Sequence, residues 1–157
     1  MGINIIVPNL VRKYKLNEEY FSHWTSQMAY VLGFWYADGH MRHEKSYRIY
    51  FTSKDKEHLI SIKKLLETNS PLTAYGGSCV TLVVHSKRLF QDLLLLGGVP
   101  GKSNVITFPK IPPQFLPDFI RGYFDGDGSV HRIVYKASKK SCLLHSYLLH
   151  QPHLRYD

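Results

Sequence analysis

Cysteine is nearly absent from this chain. Cys79 and Cys142 are far apart and fall in no CxxC or Cys/His spacing, which argues against a zinc site and against a disulfide framework. Long apolar runs are missing too. No stretch approaches membrane-spanning length, and the apolar patch of MGINIIVPNLVRKYK is broken by Arg12 and Lys13 too soon for a signal peptide. No membrane partner is expected, and the chain reads as soluble and cytoplasmic. Acids are also scarce: 12 Asp and Glu face 20 Lys and Arg, for a net charge of +8 with histidine neutral. Such an excess points to an anionic partner, nucleic acid first. His145, His150 and His153 lack the i, i+4 spacing of a helical zinc pair.

What the chain does have is one phrase written twice. VLGFWYADG occupies residues 31–39 and IRGYFDGDG residues 120–128, a constant offset of 89 from Val31 to Ile120. At 157 residues the chain is long enough to bury a core, and the doubled phrase favours two half-domains sharing it.

Around the first copy the pattern is regular. LNEEYFSHW reads as the helical part of an N-terminal extension, residues 1–26, with Thr25 or Ser26 capping a helix from about Gln27 to Ala37. A hairpin follows, in which Tyr47, Ile49 and Phe51 alternate with Arg48, Tyr50 and Thr52. Ser53 or Asp55 can cap the next helix, whose Leu59, Ile62, Leu65 and Leu66 form one apolar stripe. A second hairpin turns at Gly76 and Gly77, and the helix KRLFQDLLLLG stops at Gly97 and Gly98. After a connector rich in proline, the second phrase lies on a helix from about Leu116 to Phe124. Helix, hairpin, helix, hairpin, helix, and then the phrase again: this is an α+β repeat with antiparallel strands and the helices gathered on the apolar sheet face.

In the first phrase Gly33 and Ala37 stand at i, i+4, and in the second Gly122 and Gly126 do the same. A helical glycine costs about 1 kcal/mol relative to alanine, so its recurrence in phase wants a packing reason. Mutual packing of the two helices along these small residues supplies it. Their C-terminal ends then bring Asp38 and Asp127 together. Two carboxylates at the negative ends of helix dipoles repel unless a cation lies between them, and a divalent metal would serve. On a basic chain, paired carboxylates suit metal-assisted phosphodiester hydrolysis. Asp125, whose counterpart in the first phrase is Tyr36, reads as a local cap or turn residue.

The two phrases, with LPDFIRGYFDGDGSV around the second, resemble the paired motifs of LAGLIDADG homing endonucleases over roughly residues 20–130. The resemblance implies an αββαββα unit with an antiparallel sheet, motif helices packed against each other, and sheets that form a saddle over double-stranded DNA. It implies a site-specific, metal-dependent DNA endonuclease using Mg²⁺ or another divalent cation such as Mn²⁺. Asp38 and Asp127 are then catalytic metal ligands, and Lys102, in GVPGKSN, corresponds to a lysine near the active site. With a sheet in the major groove, His40, Arg42, Arg48, Tyr50, Thr52, Thr81 and His85 would line the DNA-binding face. The alternatives are a DNA-binding relic or regulator without activity and an RNA-splicing accessory protein.

The expected organisation is an extension over 1–26, a first unit over 27–110 and a second, incomplete unit over 111–157. SVHRIVYKASKK offers one hairpin or part of one, while SCLLHSYLLHQPHLRYD shows neither a glycine-turned hairpin nor a clean closing helix. Truncation of a longer gene would account for this, and a homodimer could compensate for the short half.

Overall fold

The computed structural model describes residues 13–101, 108–133 and 143–148. Helix α1 spans Ser26–Asp38, with Thr25 as N-cap accepting from the Met28 amide. Strands β1 (Gly39–His43) and β2 (Tyr47–Ser53), helix α2 (Lys56–Leu65), strands β3 (Leu72–Ala74) and β4 (Val80–His85) and helix α3 (Lys87–Leu95) complete an αββαββα succession. A 3₁₀ turn over Pro113–Phe115 then leads into α4 (Leu116–Asp127), followed by β5 (Gly128–Ile133) and β6 (Leu143–Leu148).

The first four strands form an antiparallel sheet in the order β1-β2-β4-β3. Its register sorts the side chains. Met41, Ile49, Phe51, Leu82 and Val84 point into one core with Leu59 and Ile62 of α2 and Leu89, Phe90 and Leu93 of α3. The helices therefore cover a single face, as the alternation in β2 leads one to expect.

Helix α1 is buried nearly all round, from Val31 to Ala37 as well as at Met28 and Ala29. A helix apolar on every side needs partners on every side. The sheet is one and α4 the other. Helix α2, with one apolar stripe, is instead capped by Asp55 and leaves its charged side in solvent. Two glycines supply backbone geometry that other residues adopt at a cost: Gly76 and Gly77 carry the β3–β4 turn at φ +50° and +59°.

Two expectations change and a third is narrowed. LNEEYFSHW is a run of turns, not a helix. The Asn17 side chain accepts from the Glu19 amide and the Ser22 hydroxyl donates to the Glu19 carbonyl, so local side-chain bonds displace helical ones. The segment still packs firmly, with Phe21 buried and Leu16, Tyr20 and Trp24 against the core. Helix α4 runs past Phe124 to Asp127, because Gly126 meets Ala37 of α1 and helical packing continues through it. Finally, SVHRIVYKASKK supplies part of a hairpin, the second of its two readings, and the other strand is LLHSYL, paired from Gly128↔Leu148 to Ile133↔Leu143.

Candidate active site and nucleic-acid interface

The doubled phrase builds a helix pair with internal two-fold correspondence. A Cβ on Gly33 would run into the Phe119 carbonyl oxygen, and one on Gly122 into the Tyr30 carbonyl oxygen. Tyr30 and Phe119 are themselves equivalent positions at the offset of 89. The backbones of α1 and α4 thus meet with no room for a side chain at either crossing glycine. One turn on, a Cβ on Gly126 would stand 2.5 Å from the Cβ of Ala37. All four small residues expected at the helix interface are there: Gly33, Ala37, Gly122 and Gly126.

Each helix ends identically. Asp38 and Asp127 are the last residues of α1 and α4, and the following glycine amide bonds back, Gly39 to the Trp35 carbonyl and Gly128 to that of Phe124. Both glycines are in extended conformation, so left-handed geometry is not their purpose. A Cβ on Gly39 would strike the Trp35 ring, and one on Gly128 the Phe124 ring. The Asp-Gly pair is therefore a helix-to-strand junction under an aromatic ring. With Ala37 against Gly126, the next residue on each helix is an aspartate. Both carboxylates sit at the same end of the pair, facing the negative poles of two dipoles.

Asp127 Oδ2 is buried without a hydrogen-bond partner, while Asp38 is exposed. A buried carboxylate oxygen lacking a donor is costly unless a cation supplies the missing interaction. Among the described residues no group of three or more His, Cys, Asp or Glu is poised to hold a metal. Two carboxylates suit an ion such as Mg²⁺, which keeps several waters and commonly takes only one or two from protein. Lys102 lies outside the described residues.

Asp125 corrects the reading of a local cap. Its Oδ2 accepts from the Tyr30 hydroxyl at 2.7 Å, across the helix interface, and Arg121 lies over the Tyr30 ring at 4.8 Å. Burial first, then the hydrogen bond to and charge of Asp125, push the Tyr30 phenol well above its ordinary pKa, against the opposing pull of Arg121. The position equivalent to Asp125 in the first phrase is Tyr36, which donates to the Leu96 carbonyl at 2.7 Å, so the two halves diverge there.

The outward sheet face collects all seven residues read as DNA-binding. Cross-strand pairing sets them in rows: Arg42, Arg48 and His85; His40, Tyr50 and Val83; Thr52, Thr81 and Thr73. In the first row two guanidinium groups stand opposite each other, a pairing that destabilises a sheet unless an anion covers it. Glu44 partly answers it, 3.2 Å from Arg48, whose Nε is buried without a partner. In the second, His40 stacks on Tyr50 at 4.1 Å between ring centroids. Thr81 departs from the expected exposure: it is only 2% exposed and shares a 2.9 Å hydrogen bond with Thr52. Its part is to tie strands together, and exposed Thr73 completes that row. The alternation in β3 carried that signal, in a strand only three residues long.

Residues 25–70 match the family model described as LAGLIDADG-like domain. Over that stretch the chain is similar to LAGLIDADG domains. Among solved structures it is similar to a doubly substituted I-DmoI in complex with its target DNA, nicked in the coding strand, in the presence of 2 mM Mn. The identity is 21% and the TM-score 0.46, over 72% of this chain and 64% of that one. The chain therefore spans less than two thirds of the length of I-DmoI. A search of curated proteins finds no match. Among the described residues no helix is long and apolar enough to cross a membrane.

Proposed function

We propose that this chain is a site-specific, metal-dependent endonuclease of the LAGLIDADG type, acting on double-stranded DNA. The observation that carries the reading is the pair of aspartates ending two glycine-meshed helices, one of them with a buried carboxylate oxygen that has no protein donor. Asp38 and Asp127 would hold Mg²⁺, or Mn²⁺ in its place. When bound, such an ion activates water and stabilises the attacking and leaving oxygens of an in-line phosphodiester displacement. The helix pair fixes the two carboxylates from opposite halves of the chain. Lys102 is assigned a supporting role, orienting water or offsetting charge on the phosphorus.

Recognition falls to the sheet face in the major groove. Arg42 and Arg48 would supply cations, and Arg48 can make a bidentate pair with guanine, worth about 1–3 kcal/mol of discrimination. The units behind this reading run over 27–110 and from 111 onward, each contributing one motif helix. A second reading, DNA binding without cleavage, draws on the described strands: four follow α1 and two follow α4.

The test is cleavage of a plasmid library in Mg²⁺. Wild-type protein should linearise a subset of plasmids, while Asp38→Asn and Asp127→Asn should bind the same plasmids and leave them intact. If wild type and both variants cut equally, or none cuts, the catalytic assignment falls. Binding that ignores Mg²⁺, without cutting by wild type, selects the second reading.

A further inference from the structure

Beside the outward sheet face a segment of the chain adds charge that the strands do not. Residues 13–16 run where β3 has not yet begun, and together with Ser70 and His85 they line an open cavity of about 320 Å³ through Lys13, Tyr14, Lys15 and Leu16. His85 is the end of the row Arg42, Arg48, His85. The segment therefore continues that row past the last strand that carries it.

It is also held in place. The Lys15 amide donates to Asn69 Oδ1 at 2.6 Å, the Thr68 hydroxyl donates to the Lys15 carbonyl at 2.7 Å, and the Asn17 amide donates to the Leu66 carbonyl at 3.1 Å. The Lys13 ammonium lies 5.2 Å from the Tyr14 ring centroid. Nearby acids are engaged elsewhere: Glu18 accepts from Ser86 and Glu19 pairs with Arg88. Among the described residues no carboxylate pairs with Lys13 or Lys15. Two exposed ammonium groups on a tethered backbone, in line with two guanidinium groups and an imidazole, form a cationic track across the sheet and over its edge.

We infer that the strap Lys13–Leu16 is a backbone-phosphate clamp for duplex DNA, which lengthens the track of Arg42, Arg48 and His85 beyond the β-sheet. This rests on the proposal that the sheet face meets DNA. Lysines at the rim, away from the sheet's own strands, would hold phosphates and carry no sequence information, whereas Arg48 would do both. Their contribution is release of counterions, so it shows in the salt dependence of binding.

The test uses the full chain and random-sequence duplex DNA titrated across a salt series. For wild type, log K falls linearly with log salt; in Lys13→Gln/Lys15→Gln the slope should shrink by about 0.9 per lysine, equally on every duplex. Lys64→Gln, on the exposed side of α2, is the control and should leave the slope unchanged. Thermal melting of the double variant should match wild type, since both side chains are exposed. Wild type that binds duplex with a slope the double variant leaves intact overturns the clamp alone. If wild type binds no duplex at any salt, the DNA-facing reading of the sheet falls and the clamp with it.

Discussion

At the scale of single residues, the sharpest feature is where the structure refuses a side chain. Gly33→Ala and Gly122→Ala each drive a Cβ into backbone, the Phe119 and Tyr30 carbonyls, which cannot rotate away as a flexible side chain could. Overpacking of this kind costs about 1–3 kcal/mol, and both substitutions should lower the unfolding free energy in urea by that order although alanine is the better helix former. The same experiment on Gly77→Ala isolates a different cause: there is open space but φ is +59°, so a smaller loss follows from backbone strain alone. The carboxylates make the converse case. In metal-free protein Asp127→Asn removes a charge from the negative end of α4 and should raise stability by about 0.3–1 kcal/mol. Mg²⁺ should then raise the melting temperature of wild type and leave that of Asp127→Asn almost unmoved, because ligand that binds only folded protein stabilises it. A variant that gains as much from Mg²⁺ as wild type would remove Asp127 from the metal site, whatever the cleavage assay shows. These glycines and acids were legible in the sequence because each appears twice at one offset, and repetition separates a packing need from chance.

At the scale of elements, the strap over residues 13–24 shows what one-dimensional reading misses. One of its ties to the rest of the chain is Ser86, a buried N-cap of α3 that accepts from the Leu89 amide while donating to Glu18 at 2.5 Å. Ser86→Ala thus removes a helix cap and a tether together. A cap alone is worth about 0.5–2 kcal/mol. We expect a loss at the upper end of that range by chemical denaturation, with earlier proteolysis near residues 13–24. A loss at the lower end with unchanged proteolysis would mean that Glu18 adds nothing. The helices and hairpins of the first half could be read from alternation and caps, because those signals are local. The turn segment LNEEYFSHW could not, since its Asn17 and Ser22 bonds compete with a helix that its composition otherwise favours. Nor could the partner of β5, which comes from beyond a gap of nine residues and is fixed by pairing alone. Asp125 was misread for the same reason: Tyr30, its partner, lies 95 residues away.

At the scale of the whole molecule, a basic chain is held together in part by phenols that stay protonated. Burial raises the pKa of Tyr20 and Tyr36, and burial with Asp125 raises that of Tyr30, all well above the ordinary tyrosine value. In unfolded chain these groups ionise near pH 10. Above that pH the unfolded state has lost protons the folded state retains, so unfolding becomes easier as pH rises; below it the contribution is constant. The three tyrosines span the strap, α1 and, through Asp125, α4, so their titration reports on the assembled fold. Followed at 295 nm, where lysine does not absorb, Tyr20, Tyr30 and Tyr36 should resist ionisation until the protein unfolds, and should then titrate together with loss of helical circular dichroism. Tyr20→Phe separates the contributions, because the Tyr20 hydroxyl is buried without a partner. Replacing it should leave stability at neutral pH unchanged or slightly raised and remove one phenol from the late step. If all the tyrosines ionise in a single step near pH 10 while the helical signal persists, the packing of α1 between the sheet and α4 is looser in solution than its burial requires.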